Sequence, residues 1–372
     1  MLYLDNSATT KIEDEVFESM LPFLKEEYGN PSSKYYSQAT NSHKAVETAR
    51  KNIANLLGAS TKEIIFTSGS TEANNMIIKG VSDYYSNKGN HIITSVAEHA
   101  SVLETCRYLE SRGSDISYLS VDKYGRIDLE ELKSSIKPTT ILVSIIWGNN
   151  EVGSLNDIKE IAELCKSKNV FFHTDATQVI GKVDINLEEY PGISFLSCSA
   201  HKFHGPKGVG SVFIRKDQYD ILTPITPLFH GGGQESNIRS GTLAVHNIVG
   251  MGKAADLAKE KMPTNILQLK DIENYLVEIL KNKFKNTVVF NNDTTNKIPG
   301  IINVQFKGIN NEVLLKQLAP VIAASTGSAC SSSKPSHVLD AIGLSLEEIR
   351  NTVRFSLSPN ISKEDLNIFR EL

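Results

Sequence analysis

Up to about residue 250, short apolar runs alternate with amphipathic stretches, and this alternation is the strongest constraint on the fold. Runs at 63–67, 91–94, 116–119, 140–147 and 170–174 have the length and composition of strands. The run 140–147 is nearly all apolar, as in a strand that is buried on both faces. Strands that alternate with helices predict a mainly parallel sheet with helices on both faces.

The segments between these runs carry apolar residues at helical spacing. The predicted helices cover 13–24, 43–57, a segment that starts at Glu72, 101–110 and 157–166.

The pattern changes past Gly250. A long helical segment spans 254–283, with a break expected at Pro263 because proline lacks the amide hydrogen that a helix interior needs. Strands are predicted near Val288 and Ile301. This final stretch predicts a second, smaller domain of mixed α and β structure.

Composition and charge argue against several classes of protein. Lys and Arg number 39 and Asp and Glu 43, so the chain lacks the cationic excess typical of proteins that bind nucleic acid. No apolar run approaches the roughly 18 residues that a membrane-spanning helix needs. The segment Met1–Asp5 does not have the basic and then apolar pattern of a signal peptide. We expect a cytoplasmic protein with no direct contact to nucleic acid and none to a membrane.

Four cysteines in 372 residues are too few for a disulfide framework, and the absence of a Cys-x-x-Cys pair disfavours a cysteine-built metal site. Cys106 and Cys165 lie on predicted amphipathic helices, and Cys198 is interpreted as strand packing. Cys330 has only small and polar neighbours, which is typical of an exposed loop and not of a buried thiol. Cys330 is therefore the candidate for a reactive thiol.

Polar residues follow several of the predicted strands, where ligands bind in open α/β sheets. They are Ser68–Thr71, Glu98–His99, Asn149–Glu151, and Asp175 with Gln178 three residues later. The Ser68–Thr71 segment at a helix start is compatible with an anion site, but taken alone it fits a simple N-cap better.

The segment Ser197–Gly208 is the richest in chemical groups, since Lys202 lies beside His201 and His204. Lysine forms Schiff bases with carbonyl cofactors such as pyridoxal phosphate (PLP), whose ring nitrogen commonly faces an aspartate. Asp175, at the end of its own strand, is the candidate for that aspartate. The alternative is a surface ammonium at Lys202 and a helix cap at Asp175.

A metal site and a nucleotide P-loop are both disfavoured. The pairs His201 with His204 and His173 with Asp175 lack a third ligand at suitable spacing. The glycine-rich segment 205–210 lacks the Gly-Lys-Ser/Thr ending of a P-loop.

Eleven motifs, in order along almost the whole chain, resemble those of cysteine desulfurases of the NifS/IscS type, which are class V, fold-type I PLP enzymes. The motifs are 4–10, 28–33, 66–72, 98–99, 149–153, 173–178, 199–202, 230–235, 239–242, 325–330 and 353–356.

The resemblance implies an α/β fold with a large PLP-binding domain at 16–250, built on a mainly parallel seven-stranded sheet flanked by helices. It implies a smaller α+β domain, formed by 1–15 and 251–372, that carries the catalytic cysteine loop. The segment after Cys330 is shorter than in many relatives, which bears on how far that loop reaches.

The resemblance also implies residue roles. Lys202 would hold PLP covalently, Asp175 would pair with the ring nitrogen, and His99 would stack on the ring and act in proton transfer. Gln178 would bond the ring phenolate oxygen, and Cys330 would be the nucleophile that takes sulfur from L-cysteine.

Two further groups of residues would bind the ends of cofactor and substrate. Asn150 and Arg354 would hold the substrate carboxylate, a task that suits the arginine fork. The phosphate group would be held by hydroxyl and imidazole side chains, one of them from a second subunit of a homodimer. These are Ser70, Thr71, Ser199, His201 and, from the second subunit, Thr242.

The implied activity is conversion of L-cysteine to L-alanine with transfer of sulfur to a persulfide on the enzyme. A sulfur-acceptor protein would then supply iron–sulfur cluster assembly, tRNA thiolation or DNA phosphorothioation. A class V aminotransferase or lyase, which has no need of Cys330, and a selenocysteine lyase remain alternatives. A sulfur-carrier or assembly protein without catalysis is the alternative from a different class.

Overall fold

A seven-stranded sheet forms the centre of the structure, a computed structural model that describes residues 1–327 and 335–371. In chain order, the strands are β1 Leu2–Tyr3, β2 Ile64–Thr67, β3 His91–Ser95, β4 Asp115–Leu119, β5 Thr140–Ser144, β6 Phe171–Asp175, β7 Phe195–Ser199, β8 Gly210–Ile214, β9 Val288–Phe290, β10 Ile301–Phe306, β11 Ile322–Ala323 and β12 Thr352–Ser356.

Helices separate most of these strands. They are α1 Asp14–Lys25, α2 Ser37–Leu57, α3 Ser70–Tyr84, α4 Ala100–Glu110, α5 Leu129–Ser135, α6 Ile158–Ser167, α7 Val245–Phe284, α8 Asn311–Leu318, α9 His337–Ala341, α10 Leu346–Arg350, α11 Lys363–Leu366 and α12 Ile368–Glu371.

The large sheet has the strand order β2-β8-β7-β6-β5-β3-β4. All neighbouring pairs are parallel except those that β8 makes with β2 and β7. The predicted fold class, a mainly parallel seven-stranded sheet flanked by helices, is confirmed. Two smaller sheets pack beside it, the antiparallel β12-β10-β9 and the parallel pair β1-β11.

Two large apolar clusters, one around the large sheet and one around the small one, meet along α7. Ile248 and Met251, in the first half of this helix, are buried against the large sheet. Leu269 and Leu276, in its second half, are buried against the small antiparallel sheet. The division into 16–250 and 1–15 with 251–372 stays a prediction, because one helix contributes to both cores.

The long helix corrects two predictions. It begins at Val245 and not at Ala254, and it runs through Pro263 without the expected break. A proline inside a helix removes one backbone hydrogen bond at a cost of about 3 kcal/mol. Burial of the helix on both sides of Pro263 offsets that cost.

Two other predicted boundaries are also wrong. The strand predicted at 140–147 ends at Ser144. The Trp147 amide still donates to the Asp175 carbonyl, so the chain stays beside β6 before it turns away at Gly148. The helix that ends at Leu57 begins at Ser37, before the predicted His43, because its first turns are largely polar and carry little apolar periodicity.

The N-terminal segment connects the smaller sheets to the large one. Leu2 and Tyr3 pair with β11, and Asp5 bridges to Ser356 at the end of β12. The Thr10 amide then donates to the His201 carbonyl, just after β7. This path carries residues 5–10 across the edge of the sheet where the chemical groups collect.

No helix in the described ranges is both long and apolar enough to cross a bilayer.

Candidate active site

The residues that follow four adjacent parallel strands meet at one edge of the large sheet. His99 follows β3, Asn150 follows β5, Asp175 ends β6, and Lys202 follows β7 in a short 3₁₀ turn. Because the carboxyl ends of parallel strands lie at the same edge, the sheet brings together residues that are far apart in the chain.

The Lys202 amine points at the N-terminal segment. Its Nζ atom donates to the Ser7 carbonyl at 2.6 Å and to the Ala8 carbonyl at 2.7 Å. The Gln178 amide also donates to the Ser7 carbonyl, at 2.8 Å. These contacts hold the Lys202 side chain, which is half-buried, at the sheet edge.

The Asp175 carboxylate is buried and oriented by two donors. Its Oδ1 accepts the Thr177 amide at 3.0 Å, and its Oδ2 accepts Asn74 Nδ2 at 2.7 Å. Asn74 lies on α3 and is fully buried. Each carboxylate oxygen therefore accepts a hydrogen bond from the protein, which fixes the orientation of the carboxyl group.

His99 caps the N-terminus of α4. Its Nδ1 accepts the Ser101 amide at 3.2 Å and lies 2.8 Å from Ser101 Oγ. Burial lowers the pKa of the imidazole; Asp175 opposes this, and the charges of Lys202 and His337 reinforce it. The ring therefore stays neutral near pH 7.

The start of α3 and the end of β7 form a second part of the site. Gly210 pairs with both Thr67 and Ser199, and a Cβ placed on it would lie 2.7 Å from the Gly69 Cα. Glycine at 210 thus lets the α3 N-terminus approach β7. Ser70 and Thr71 occupy the first turn of α3, where free amides and the helix dipole attract anions.

His201 borders this part of the site. Its Nδ1 lies 3.2 Å from Thr9 Oγ1, and its carbonyl accepts from Thr10. Burial lowers its pKa to about 4, and the charges of Lys202 and Lys207 add to the effect. The imidazole is therefore a neutral partner at pH 7.

Arg354, on β12, forms the opposite wall and is 1% exposed. Its Nη1 donates to the Asn150 carbonyl at 2.8 Å and to the Gly327 carbonyl at 3.1 Å, and its Nη2 donates to Asp5 Oδ1 at 2.7 Å. The Nε atom is buried and has no partner among the described residues. The Nε–H is therefore a guanidinium hydrogen that remains available for a further acceptor.

The structure does not bring the two remaining predicted site residues into this cluster within one described chain. Thr242 is exposed on the loop before α7, and Cys330 lies outside the described residues. Gly327, three positions before Cys330, is hydrogen-bonded to Arg354 as described above.

Several residues at the site were missed by the sequence analysis. Asp5 and the carbonyl of Ser7 lie in a motif that was noted without a role. Asn74 lies inside α3 and Ser101 in the first turn of α4, and nothing in the sequence pattern marks either residue. Glu98 was noted only as the neighbour of His99. Burial raises its pKa to about 8, although its Oε1 accepts from the Ile146 amide.

The comparison with known proteins decides the family. The family model described as aminotransferase class-V matches residues 2–369. A protein named cysteine desulfurase IscS from Dictyoglomus turgidum is 46% identical over 98% of this chain and 92% of its own length. The chain belongs to the class-V aminotransferase family, among the cysteine desulfurases.

Solved structures agree with this assignment. A structure titled NifS-like protein superposes with a TM-score of 0.92 at 37% identity and covers 100% of this chain and 97% of its own. A structure titled SspA in complex with cysteine has a TM-score of 0.84 at 37% identity, and covers 96% and 99% of the two chains. The predicted family and enzyme class are confirmed, and the desulfurase family is PLP-dependent.

The residues of this desulfurase fit PLP. Around the sheet edge, Gln178 Oε1, Asn74 Oδ1, Thr177 Oγ1 and Glu98 Oε2 are buried without a hydrogen-bond partner among the described residues. Buried polar atoms normally find a partner, so this cluster marks a place for a polar group. A lysine, a buried aspartate and a helix N-terminus supply the donors and acceptors that such a cofactor requires.

Proposed function

We propose that this desulfurase converts L-cysteine to L-alanine and passes the sulfur to Cys330 as a persulfide, with PLP held by Lys202. The observation that carries the proposal is the position of Arg354. Its guanidinium bonds both Asn150, beside the sheet edge, and Gly327, three residues before Cys330. Gly327 belongs to the same sequence motif as Cys330, and an aminotransferase has no need of a cysteine in that motif.

The cofactor would be held by residues at the ends of β6 and β7 and at the start of α3, together with one residue of a second subunit. Lys202 would bind it covalently, Asp175 would face the ring nitrogen, and Gln178 would turn its amide to the phenolate oxygen. The phosphate would be held by the side chains predicted from the sequence, namely Ser70, Thr71, Ser199, His201 and Thr242 of a second subunit. When bound, PLP supplies an electron sink for the charge that develops at Cα.

The protein residues divide the remaining work. Arg354 and Asn150 bind and orient the substrate carboxylate. The Lys202 amine, which the Ser7 and Ala8 carbonyls position at the sheet edge, would take the α-proton of the substrate. His99 lies at the same edge of the sheet. Hydrogen bonds through Ser101 and Asn74 connect its imidazole to the Asp175 carboxylate.

The sulfur step belongs to Cys330. Its thiolate attacks the substrate sulfur, so that an S–S bond forms as the Cβ–S bond breaks. The electron pair of the broken bond stays with carbon, which is protonated to give alanine, and the enzyme keeps the sulfur as a persulfide.

The other three cysteines are poorly suited to this role. Cys106, Cys165 and Cys198 are buried. Burial raises the pKa of Cys106 and Cys165 to about 12 and that of Cys198 to about 11. As protonated thiols shielded from solvent, they are weak nucleophiles.

A product assay tests the function. Protein loaded with PLP and given L-cysteine should form alanine and, with a thiol reductant, an equal amount of sulfide. Selenocysteine and an amino acceptor are run in parallel. Alanine without sulfide, or activity only with selenocysteine or only with the amino acceptor, would contradict the proposal.

We further propose a cytoplasmic enzyme whose persulfide is passed to an acceptor protein for iron–sulfur cluster assembly. Full-length similarity to proteins named IscS supports this destination. Acceptors for tRNA thiolation and DNA phosphorothioation are the other candidates. The acceptor can be captured through the radiolabelled sulfur that it takes from the persulfide. The molecule in which the label ends, an iron–sulfur cluster, a thiolated tRNA or a phosphorothioated DNA, distinguishes the three destinations.

Arg354→Ala should raise the KM for cysteine, because the charge-assisted fork to the carboxylate is lost. By analogy with truncated buried charge pairs, the loss in kcat/KM corresponds to about 2–5 kcal/mol. Steady-state kinetics measure it, and thermal unfolding monitors the cost of leaving Asp5 unpaired. Arg354→Lys, which keeps the charge without the fork, should show an intermediate KM. An unchanged KM in both variants would exclude this role.

A homodimer with shared active sites is also proposed. Phe17, Leu21 and Leu24 form an exposed apolar stripe on α1, and Thr242 is exposed on its loop. An ion pair between Arg239 and Glu72 at 2.8 Å ties this loop to α3, beside the predicted phosphate site. A second copy would cover the stripe and place Thr242 at its neighbour's site.

Complementation between two variants tests the shared site. Lys202→Ala and Thr242→Asp should each be inactive, the second because a carboxylate repels the phosphate. A refolded equal mixture should regain about a quarter of the sites, since half of the dimers are mixed and each has one complete site. Sedimentation should give twice the chain mass. No recovery in mixed dimers, or a fully active monomer, would contradict the shared site.

A further inference from the structure

A chain of hydrogen bonds links Asp175 to His99 through two residues without an assigned role. Asn74 Nδ2 lies 2.7 Å from Asp175 Oδ2 and 2.9 Å from Ser101 Oγ, and Ser101 Oγ lies 2.8 Å from His99 Nδ1. Asn74 is fully buried, and Ser101 is 8% exposed. Three elements contribute, since Asp175 ends β6, Asn74 lies on α3, and His99 and Ser101 start α4.

The direction of each bond follows from the inventory of hydrogens. An ionised carboxylate only accepts, so Asn74 donates one amide hydrogen to Asp175. The other hydrogen of the same Nδ2 atom points to Ser101 Oγ. Because Ser101 accepts that bond, its own hydroxyl hydrogen is available for His99 Nδ1.

A second donor to the same nitrogen cannot turn away. The backbone amide of Ser101 donates to His99 Nδ1 at 3.2 Å, as part of the α4 N-cap. A hydroxyl can rotate, but a peptide N–H in the first turn of a helix is fixed. Nδ1 therefore faces two donors, and a proton on Nδ1 would point at both.

The charges around the ring agree with a neutral form. Burial lowers the pKa of His99, Asp175 raises it, and Lys202 and His337 lower it further. Asp175, the acidic group among these neighbours, does not bond the imidazole directly. Asn74 and Ser101 lie between them, so that His99 Nδ1 faces a hydroxyl and not a carboxylate.

We propose that Asn74 and Ser101 are positioning residues that hold His99 as the neutral tautomer with its proton on Nε2. In this form the ring offers a hydrogen-bond donor at Nε2, and its Nδ1 lone pair is occupied. His99 then stabilises negative charge that develops at the reaction centre, and uptake of the α-proton is left to Lys202. The inference rests on the proposed function for its catalytic meaning, but the tautomer itself does not.

The test is ¹⁵N NMR of histidine-labelled, cofactor-free protein, with the His99 signals identified by their loss in His99→Gln. In the wild-type chain we expect an unprotonated Nδ1 and a protonated Nε2 at pH 7. In Ser101→Ala, the loss of one hydrogen bond should shift the tautomer ratio by about fivefold toward Nδ1–H. Ser101→Thr, which keeps a hydroxyl, should restore the wild-type signals.

The matched control is Thr105→Val, which removes another buried hydroxyl of α4. Thr105 Oγ1 donates to the Ser101 carbonyl and not to the imidazole, so the His99 nitrogens should not shift. A protonated Nδ1 in the wild-type chain would overturn the proposal. So would unchanged His99 signals in Ser101→Ala, or equal shifts in Thr105→Val. Because no turnover is measured, these outcomes are independent of whether the protein is active on cysteine.

Discussion

We expect Lys202→Ala to abolish the visible absorption band that the protein shows when loaded with PLP. The covalent pyridoxyl label that borohydride reduction leaves on the protein should also be lost. The covalent attachment point is lost, and so is the amine that takes the α-proton. Loss of the proton transfer alone reduces turnover by about 10²–10⁴-fold. Absorption spectra, mass spectrometry after borohydride reduction, and alanine assays measure the three effects.

Lys182 provides the matched control for this experiment. It lines the same small cavity as Lys202, and burial together with the charges of Lys202 and Arg354 lowers its pKa to about 7. An amine with such a pKa is reactive at neutral pH. Lys182→Gln should keep the visible band and the label. A pyridoxyl adduct on Lys182 in the Lys202→Ala protein would show that the wrong lysine has been assigned.

Cys330→Ala should separate the binding of substrate from the transfer of sulfur. The variant should bind PLP and change its spectrum when cysteine is added, because the early steps do not use this thiol. Turnover to alanine should fall by at least about 100-fold, because no other residue can replace the nucleophile of a covalent mechanism. Rapid-mixing spectra and steady-state alanine assays distinguish the two stages.

Cys106→Ala is the control for that variant, because Cys106 is buried in α4 and its thiol has a raised pKa. It should keep normal turnover and form a persulfide. Near-normal alanine production by Cys330→Ala would mean that sulfur does not pass through this residue. The aminotransferase or direct-lyase alternative would then be favoured.

The sequence predicted the sheet edge well because its signal is local. The strands before His99 and Asp175 are short apolar runs, and the rule that ligands bind at carboxyl ends places these two residues together without any contact being known. Lys202 was identified from the chemical groups of its own segment. The residues that contact the site from distant parts of the chain could not be predicted in this way. Arg354 and Asp5 are separated by 349 positions, and no local pattern reports such a pair.

Asn74 and Ser101 were not predicted as site residues, for a related reason. A polar residue in an amphipathic helix is ordinarily a solvent-facing residue, and only the contacts of α3 with both α4 and β6 show that these two face inward. The Pro263 prediction failed in the opposite direction. A sound local rule was overridden by burial on both sides of the residue.

The participation of α7 in both apolar cores fixes the number of residues between them. An α-helix turns by about 100° per residue and has 3.6 residues per turn. One residue inserted between Leu257 and Leu269 would therefore swing the second apolar face away from the small sheet while the first face stays in place. A change in the length of this stretch of helix would therefore disturb one of the two apolar cores.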